Sequence, residues 1–218
     1  MGHAPVNGKA LPAFLILTLL VPTAAGLYRA AALIWEWDWA LNFAAQNVDN
    51  LPLFLHAIFG ITFIVFGGLQ LLPGFRARNP RWHRSAGRWT ASAGIFAALT
   101  GLWMTLLHPN ISTALLFYGR IVASLLWAVF ILLAVRFVIQ KNIAKHRAFM
   151  IRAYAIAINA GTLPFIYIPI MIVYGVAPPL IEDAIQVTGW IVNLSVAEWI
   201  IRRQPKPSLP QLINAQPI

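Results

Sequence analysis

Arg81-Trp82-His83-Arg84-Ser85-Ala86-Gly87-Arg88 puts three arginines and one histidine into eight residues, between two long apolar runs. A second stretch of the same kind, Lys145-His146-Arg147-Ala148-Phe149-Met150-Ile151-Arg152, recurs later, again between apolar runs. In each, a His-Arg pair opens a hydrophobic segment and a further arginine follows about one turn on. Hydrocarbon leaves backbone groups no water to bond, so a chain crosses it as helices, and Lys and Arg stay on the cytoplasmic side. Apolar runs joined by short basic connections therefore predict an all-α polytopic transmembrane bundle with one basic face.

Composition agrees. Of 218 residues, 60% are hydrophobic and 10% charged, against about 45–50% and about 25% in a globular domain. At about 20 residues per span, the length holds six spans and no separate soluble domain. The net charge of +10 would suit a nucleic-acid partner. The cations sit in connections, however, where topology alone requires them, and nucleic acid is set aside. There is no cysteine, which removes thiol catalysis, Cys-ligated metals and disulfides.

Residues 1–10 read as a polar lead, 11–201 as the six-helix transmembrane domain, and 202–218 as a Pro-rich tail expected to be disordered. The expected spans are Leu11–Trp35, Leu51–Pro73, Gly87–Leu107, Thr113–Ile139, Phe149–Tyr174 and Ala184–Ile201. Pro22, Pro164 and Pro169 are expected bends. Trp35-Glu36-Trp37-Asp38-Trp39 reads as an aromatic belt at a membrane surface. The second and fourth connections and the C-terminus are basic. The other connections carry no Lys or Arg outside the span ends, and hold five of the six acidic residues. This alternation places both termini in the cytoplasm. His56 precedes His83 by 27 positions and Arg120 precedes His146 by 26, so spans 2–3 and 4–5 read as parallel repeats.

Polar groups inside spans are expensive and are candidate functional groups. Arg120 and His56 lie a short way into spans 4 and 2 from the same face. They either share one interior site, or snorkel and bond a backbone carbonyl respectively. Asn159 and Asn193 fall near mid-bilayer, where hydrogen-bonding glue between helices is the expected role. Glu198 and Arg202 are spaced for a local ion pair, and Gln70 is placed to reach the basic cluster.

A b-type haem between membrane helices needs two imidazoles at matching depth, or one histidine plus another ligand. His56 and His108 belong to the outer side, and His83 and His146 to the inner side. Arg84, Arg88, Arg147 and Arg152 would neutralise haem propionates, or contact anionic lipid headgroups. No P-loop, Rossmann glycine pattern, HExxH or acidic metal cluster occurs. No carboxylate pair lies inside the spans, which disfavours carboxylate-coupled transport.

Taken together, His56, Gly67-Gly68-Leu69-Gln70, Pro80-Arg81-Trp82-His83-Arg84-Ser85-Ala86-Gly87-Arg88 and His146-Arg147-Ala148-Phe149-Met150-Ile151-Arg152-Ala153-Tyr154 carry a resemblance. Leu51 to Trp199 resembles the bacterial predicted membrane protein family called domain of unknown function 2306. The resemblance implies a multi-pass protein of the bacterial cytoplasmic (inner) membrane and no particular activity. A looser similarity in architecture links the chain to b561-type cytochromes.

The first functional expectation is a non-enzymatic membrane subunit, an accessory or scaffold protein of a larger complex. Its partners would be the bilayer, anionic lipids and other membrane proteins. The alternative is a haem b electron-transfer protein using His56, His83, His108 and His146. A small-solute transporter built on His56 and Arg120 comes third.

Overall fold

The computed structural model describes residues 50–107, 112–175 and 178–203, together with positions 20, 23, 24, 27 and 31. The expected first span, the Trp35–Trp39 belt, His108, the lead and nearly all of the tail lie outside the described residues. From residue 50 the described chain is helical: α1 (Asn50–Leu71), α2 (Pro73–Arg78), α3 (Pro80–Leu107), α4 (Ala114–Ile139), α5 (Ile143–Ala157), α6 (Asn159–Tyr174) and α7 (Pro179–Arg202). Four of these, α1, α3, α4 and α7, are long and apolar enough to cross a membrane, and α5 and α6 together, bent by 44°, are apolar enough for a fifth if they act as one span.

Three boundaries differ from expectation. The third span begins at Pro80, not Gly87. Proline suits the first helical position, where no N–H is needed, and the Asn79 carbonyl takes the His83 N–H at 2.9 Å. The basic stretch is thus the first two turns of α3 rather than a loop. Likewise α5 begins at Ile143, six residues before the expected Phe149. Asn142 caps it by accepting the Lys145 N–H at 3.1 Å. At the far end, the expected acidic turn is the start of α7, with Pro179 at its first position and Glu182 in its first turn.

The fifth span breaks at Ile158, and Pro164 and Pro169 stay inside α6. Pro164 cannot donate a backbone bond, and its ring crowds the carbonyl one turn earlier. The strain is released toward the N-terminus, where Gly161 bonds Ile158 in a tightened turn at 2.8 Å. Between α4 and α5 the chain reverses in one tight turn. Lys141 adopts φ +58° there, and the Asn142 N–H reaches back to the Phe137 carbonyl at 2.8 Å.

α1 packs on α3, α3 on α4, α4 on α5, and α5 back on α1. The result is a four-helix arrangement with α3 and α5 on one diagonal. α7 lies outside it, against α4, α5 and α6. The buried face of α3 is small (Ala93, Gly94, Ala97, Ala98), while Phe96, Leu99 and Trp103 point outward. Lipid tails are as apolar as leucine, so helices gain by close backbone approach, and small residues belong inside. Phe63, Trp127, Ile131 and Tyr154 fill the centre. A β-carbon at Gly94 would stand 2.5 Å from both Ile131 Cδ1 and Phe63 Cδ2, so nothing larger than glycine fits there.

Candidate functional site

At the acidic end, His56 and Arg120 each occupy the seventh residue of their helices, α1 and α4, and both helices start from that end. His56 Nδ1 bonds the Ala97 carbonyl of α3 at 2.9 Å, with Thr100 Oγ1 at 3.5 Å. Its ring meets Trp127 edge-on at 6.5 Å between centroids. A β-carbon at Gly101 would lie 3.1 Å from His56 Cε1 and 3.4 Å from Ser124 Oγ. Only glycine lets both side chains lean over α3 at this level. Arg120, one turn before Ser124, lies within electrostatic range of His56 and of Asp183. Asp183 Oδ2 in turn accepts the Thr113 N–H at 2.7 Å and joins the start of α7 to that of α4. The two expected intramembrane groups thus share one polar layer with Thr100, Ser124 and Asp183.

At the basic end the two His-Arg motifs prove equivalent by register. His83-Arg84 and His146-Arg147 are the fourth and fifth residues of α3 and α5. Each histidine N–H bonds the carbonyl of an asparagine four residues back, Asn79 at 2.9 Å and Asn142 at 3.0 Å. The asparagines were not singled out in the sequence, although Asn immediately before a helix is a capping signal. The His83 Nδ1 is buried. His146 Nδ1 bonds the Ala134 carbonyl of α4 at 2.9 Å. Arg81, Arg84, Arg88, Lys141, Lys145 and Arg147 are exposed around this end.

Three expectations are corrected. Arg152 does not stand with the headgroup-facing cations. Its Nε and Nη2 donate to Glu198 Oε1 and Oε2 at 2.5 and 3.0 Å, a two-pronged pair with α7. Glu198 therefore makes its close ion pair across helices, with Arg202 on its own helix acting only at longer range. A fork of two N–H groups matches a carboxylate, and the pair stands half-buried between α5 and α7. Gln70 turns inward, donating to Thr90 Oγ1 at 3.1 Å and filling the space above Gly87, so it joins α1 to α3 instead of reaching the arginines.

The asparagines act as helix ties. Asn193 Nδ2 donates to Thr162 Oγ1 at 2.9 Å, and Asn159 Nδ2 to the Gln186 carbonyl at 3.2 Å. The two hairpins are not alike at their other landmarks. At the seventh position His56 on α1 bonds the Ala97 carbonyl of α3, whereas α4 has Arg120, beside Asp183 of α7.

The fit of a haem differs between the ends. His56 gives its Nδ1 to the Ala97 carbonyl and has Thr100, Gly101 and Trp127 close to its ring, and His108 is outside the described residues. His83 and His146 stand at one register on diagonal helices, with His146 Nδ1 held by the Ala134 carbonyl. Among the described residues, no group of three or more His, Cys, Asp and Glu gathers as a metal site.

Residues 53–201, with all seven helices inside or overlapping that range, match the family model described as predicted membrane protein, DUF2306. The chain belongs to the DUF2306 family. No curated protein and no solved structure matches it. The match encloses both His-Arg motifs of the DUF2306 protein, the polar layer at His56 and Arg120, and the Arg152–Glu198 pair.

Proposed function

We propose that this DUF2306 protein is a non-enzymatic integral membrane subunit, an accessory or scaffold protein, whose basic end faces the cytoplasm and holds anionic groups. One observation carries this reading: the exposed cations gather at one end. Arg81, Arg84, Arg88, Lys141, Lys145 and Arg147 ring that end, and Glu198, the acid described there, is committed to Arg152. Each cation near an anionic surface contributes about 1 kcal/mol, screened by salt. Thermal unfolding in neutral detergent, with added phosphatidylglycerol or phosphatidylcholine, tests it. Phosphatidylglycerol raises the melting temperature, phosphatidylcholine does not, and the gain shrinks in high salt and in Arg84→Gln/Lys145→Gln/Arg147→Gln. Equal effects of the two lipids overturn the reading. The subunit half rests on co-purification of other membrane proteins from mild detergent, and recovery of free monomer alone overturns that half.

A second reading has the diagonal placement of His83 and His146 behind it. In it the DUF2306 protein holds one haem b at the basic end. A reduced-minus-oxidised absorption spectrum then carries haem bands that His83→Ala and His146→Ala each abolish. A flat spectrum from folded protein removes the reading.

A further inference from the structure

The outward face between α1 and α3 carries a groove of about 400 Å³ lined by Thr62, Phe66, Trp82, Ser85, Ala86 and Trp89. It starts at the level of the arginines and runs toward mid-span. From Trp82 to Trp89 along α3 it extends about 10 Å, at 1.5 Å per residue. Phe66 and Trp82 form its upper wall, 6.3 Å apart between ring centroids. Trp89, 75% exposed, forms an open side wall on the lipid-facing surface. Thr62, another lining residue, commits its hydroxyl to the Ile58 carbonyl of its own helix at 2.8 Å. Arg81 and Arg88 lie one turn before and one turn after Ser85 on α3, and both are exposed. Their charges therefore border one long edge of an otherwise apolar, aromatic slot.

From this we infer a specific site for one anionic phospholipid. One acyl chain lies in the groove against Phe66, Trp82 and Trp89, and the phosphate is held by Arg81 and Arg88 with Ser85 between them. Each half argues for the same occupant. An apolar slot open to lipid suits a chain, tryptophans at a membrane interface suit the boundary between chain and headgroup, and a flanking arginine pair selects a negative headgroup. The inference rests on the proposed basic end but narrows it from a charged surface to one address.

Native mass spectrometry of the full chain, exchanged into phosphatidylglycerol or phosphatidylcholine, reads the site directly. One phosphatidylglycerol per chain survives collisional activation that strips phosphatidylcholine. Ser85→Trp, which fills the slot without altering charge, loses that lipid. So does Arg81→Gln/Arg88→Gln, two exposed changes that leave the slot intact and keep the fold. Arg84→Gln/Lys145→Gln/Arg147→Gln, which weakens the general gain from phosphatidylglycerol, keeps this one lipid. If that triple variant loses the lipid as fully as the Arg81/Arg88 pair, binding is spread over the basic end, and the groove is overturned while the broader reading stands. If phosphatidylcholine is retained equally by the unaltered chain, both fail. In this cysteine-free chain, Trp89→Cys oxidising onto a cysteine introduced within residues 11–35 assigns the groove to the chain's own first apolar run and overturns the lipid.

Discussion

The α1–α3 pair and the α5–α6–α7 group hold together by different means. α1 and α3 meet mainly through shape, with two polar ties, His56 to the Ala97 carbonyl and Gln70 to Thr90. Gly94 admits Phe63 and Ile131, Gly101 admits His56, and Gly87 admits Gln70. α7 meets its neighbours through polar ties spread over its length. From the acidic end these are Tyr167 to Glu182 at 2.6 Å, Asn159 to Gln186, Asn193 to Thr162 and Arg152 to Glu198. Within hydrocarbon, shape gives close contact everywhere along a pair, while polar ties fix register at a few points and cost little to exchange.

Substitutions can break this comparison. The largest loss is expected at Gly94→Leu. Phe63 and Ile131 are at 0% and 1% exposure and have nowhere to move, so the cost sits at or above the ~1–3 kcal/mol of overpacking. A melting temperature within a degree of the parent would refute shape packing in this half. Next comes the ion pair. Arg152→Ala or Glu198→Ala leaves one charge without its partner in a half-buried site, at a cost of about 1.5–3 kcal/mol for lost charged hydrogen bonds. Arg152→Met/Glu198→Met recovers most of that loss, because the desolvation of both charges goes with them. A double variant as unstable as the two single losses summed would mean the residues act separately. The smallest effect belongs to Asn193→Leu, about 0.6 kcal/mol for one interhelical hydrogen bond in a bilayer. A loss several times larger would make that tie a structural centre and end the contrast between the halves.

Much of the fold was legible from the residues. Apolar length locates α1 and α4 to within a few residues, because hydrocarbon thickness imposes it. α3, α5 and α7 all start earlier than apolar length predicts, because their first turns carry charged residues. In fact Asn79-Pro80 and Asn142 cap helices that run on through the arginines. The break at Ile158 was placed at the prolines, because sequence marks the strained residue and not the neighbour that yields. Of the candidate residues, Asn159 and Asn193 donate hydrogen bonds between helices, and His56 and Arg120 stand at one register of α1 and α4. Glu198 was assigned to the wrong partner. Spacing along one helix is visible in a sequence, while Arg152 on α5 comes beside it only when α7 packs.

By itself the sequence determined the class, the family and the segregation of charge to one end. These follow from hydropathy and the placement of Lys and Arg, which are properties of the chain read locally. Only the tertiary structure decided which arginine is paired and which are exposed. It also decided that Gln70 points inward, and that Phe66 of α1 and Trp82 and Trp89 of α3 enclose one groove. Each depends on how two helices are rotated against one another, and that rotation is set by small residues such as Gly87, Gly94 and Gly101 acting on partners far away in the chain.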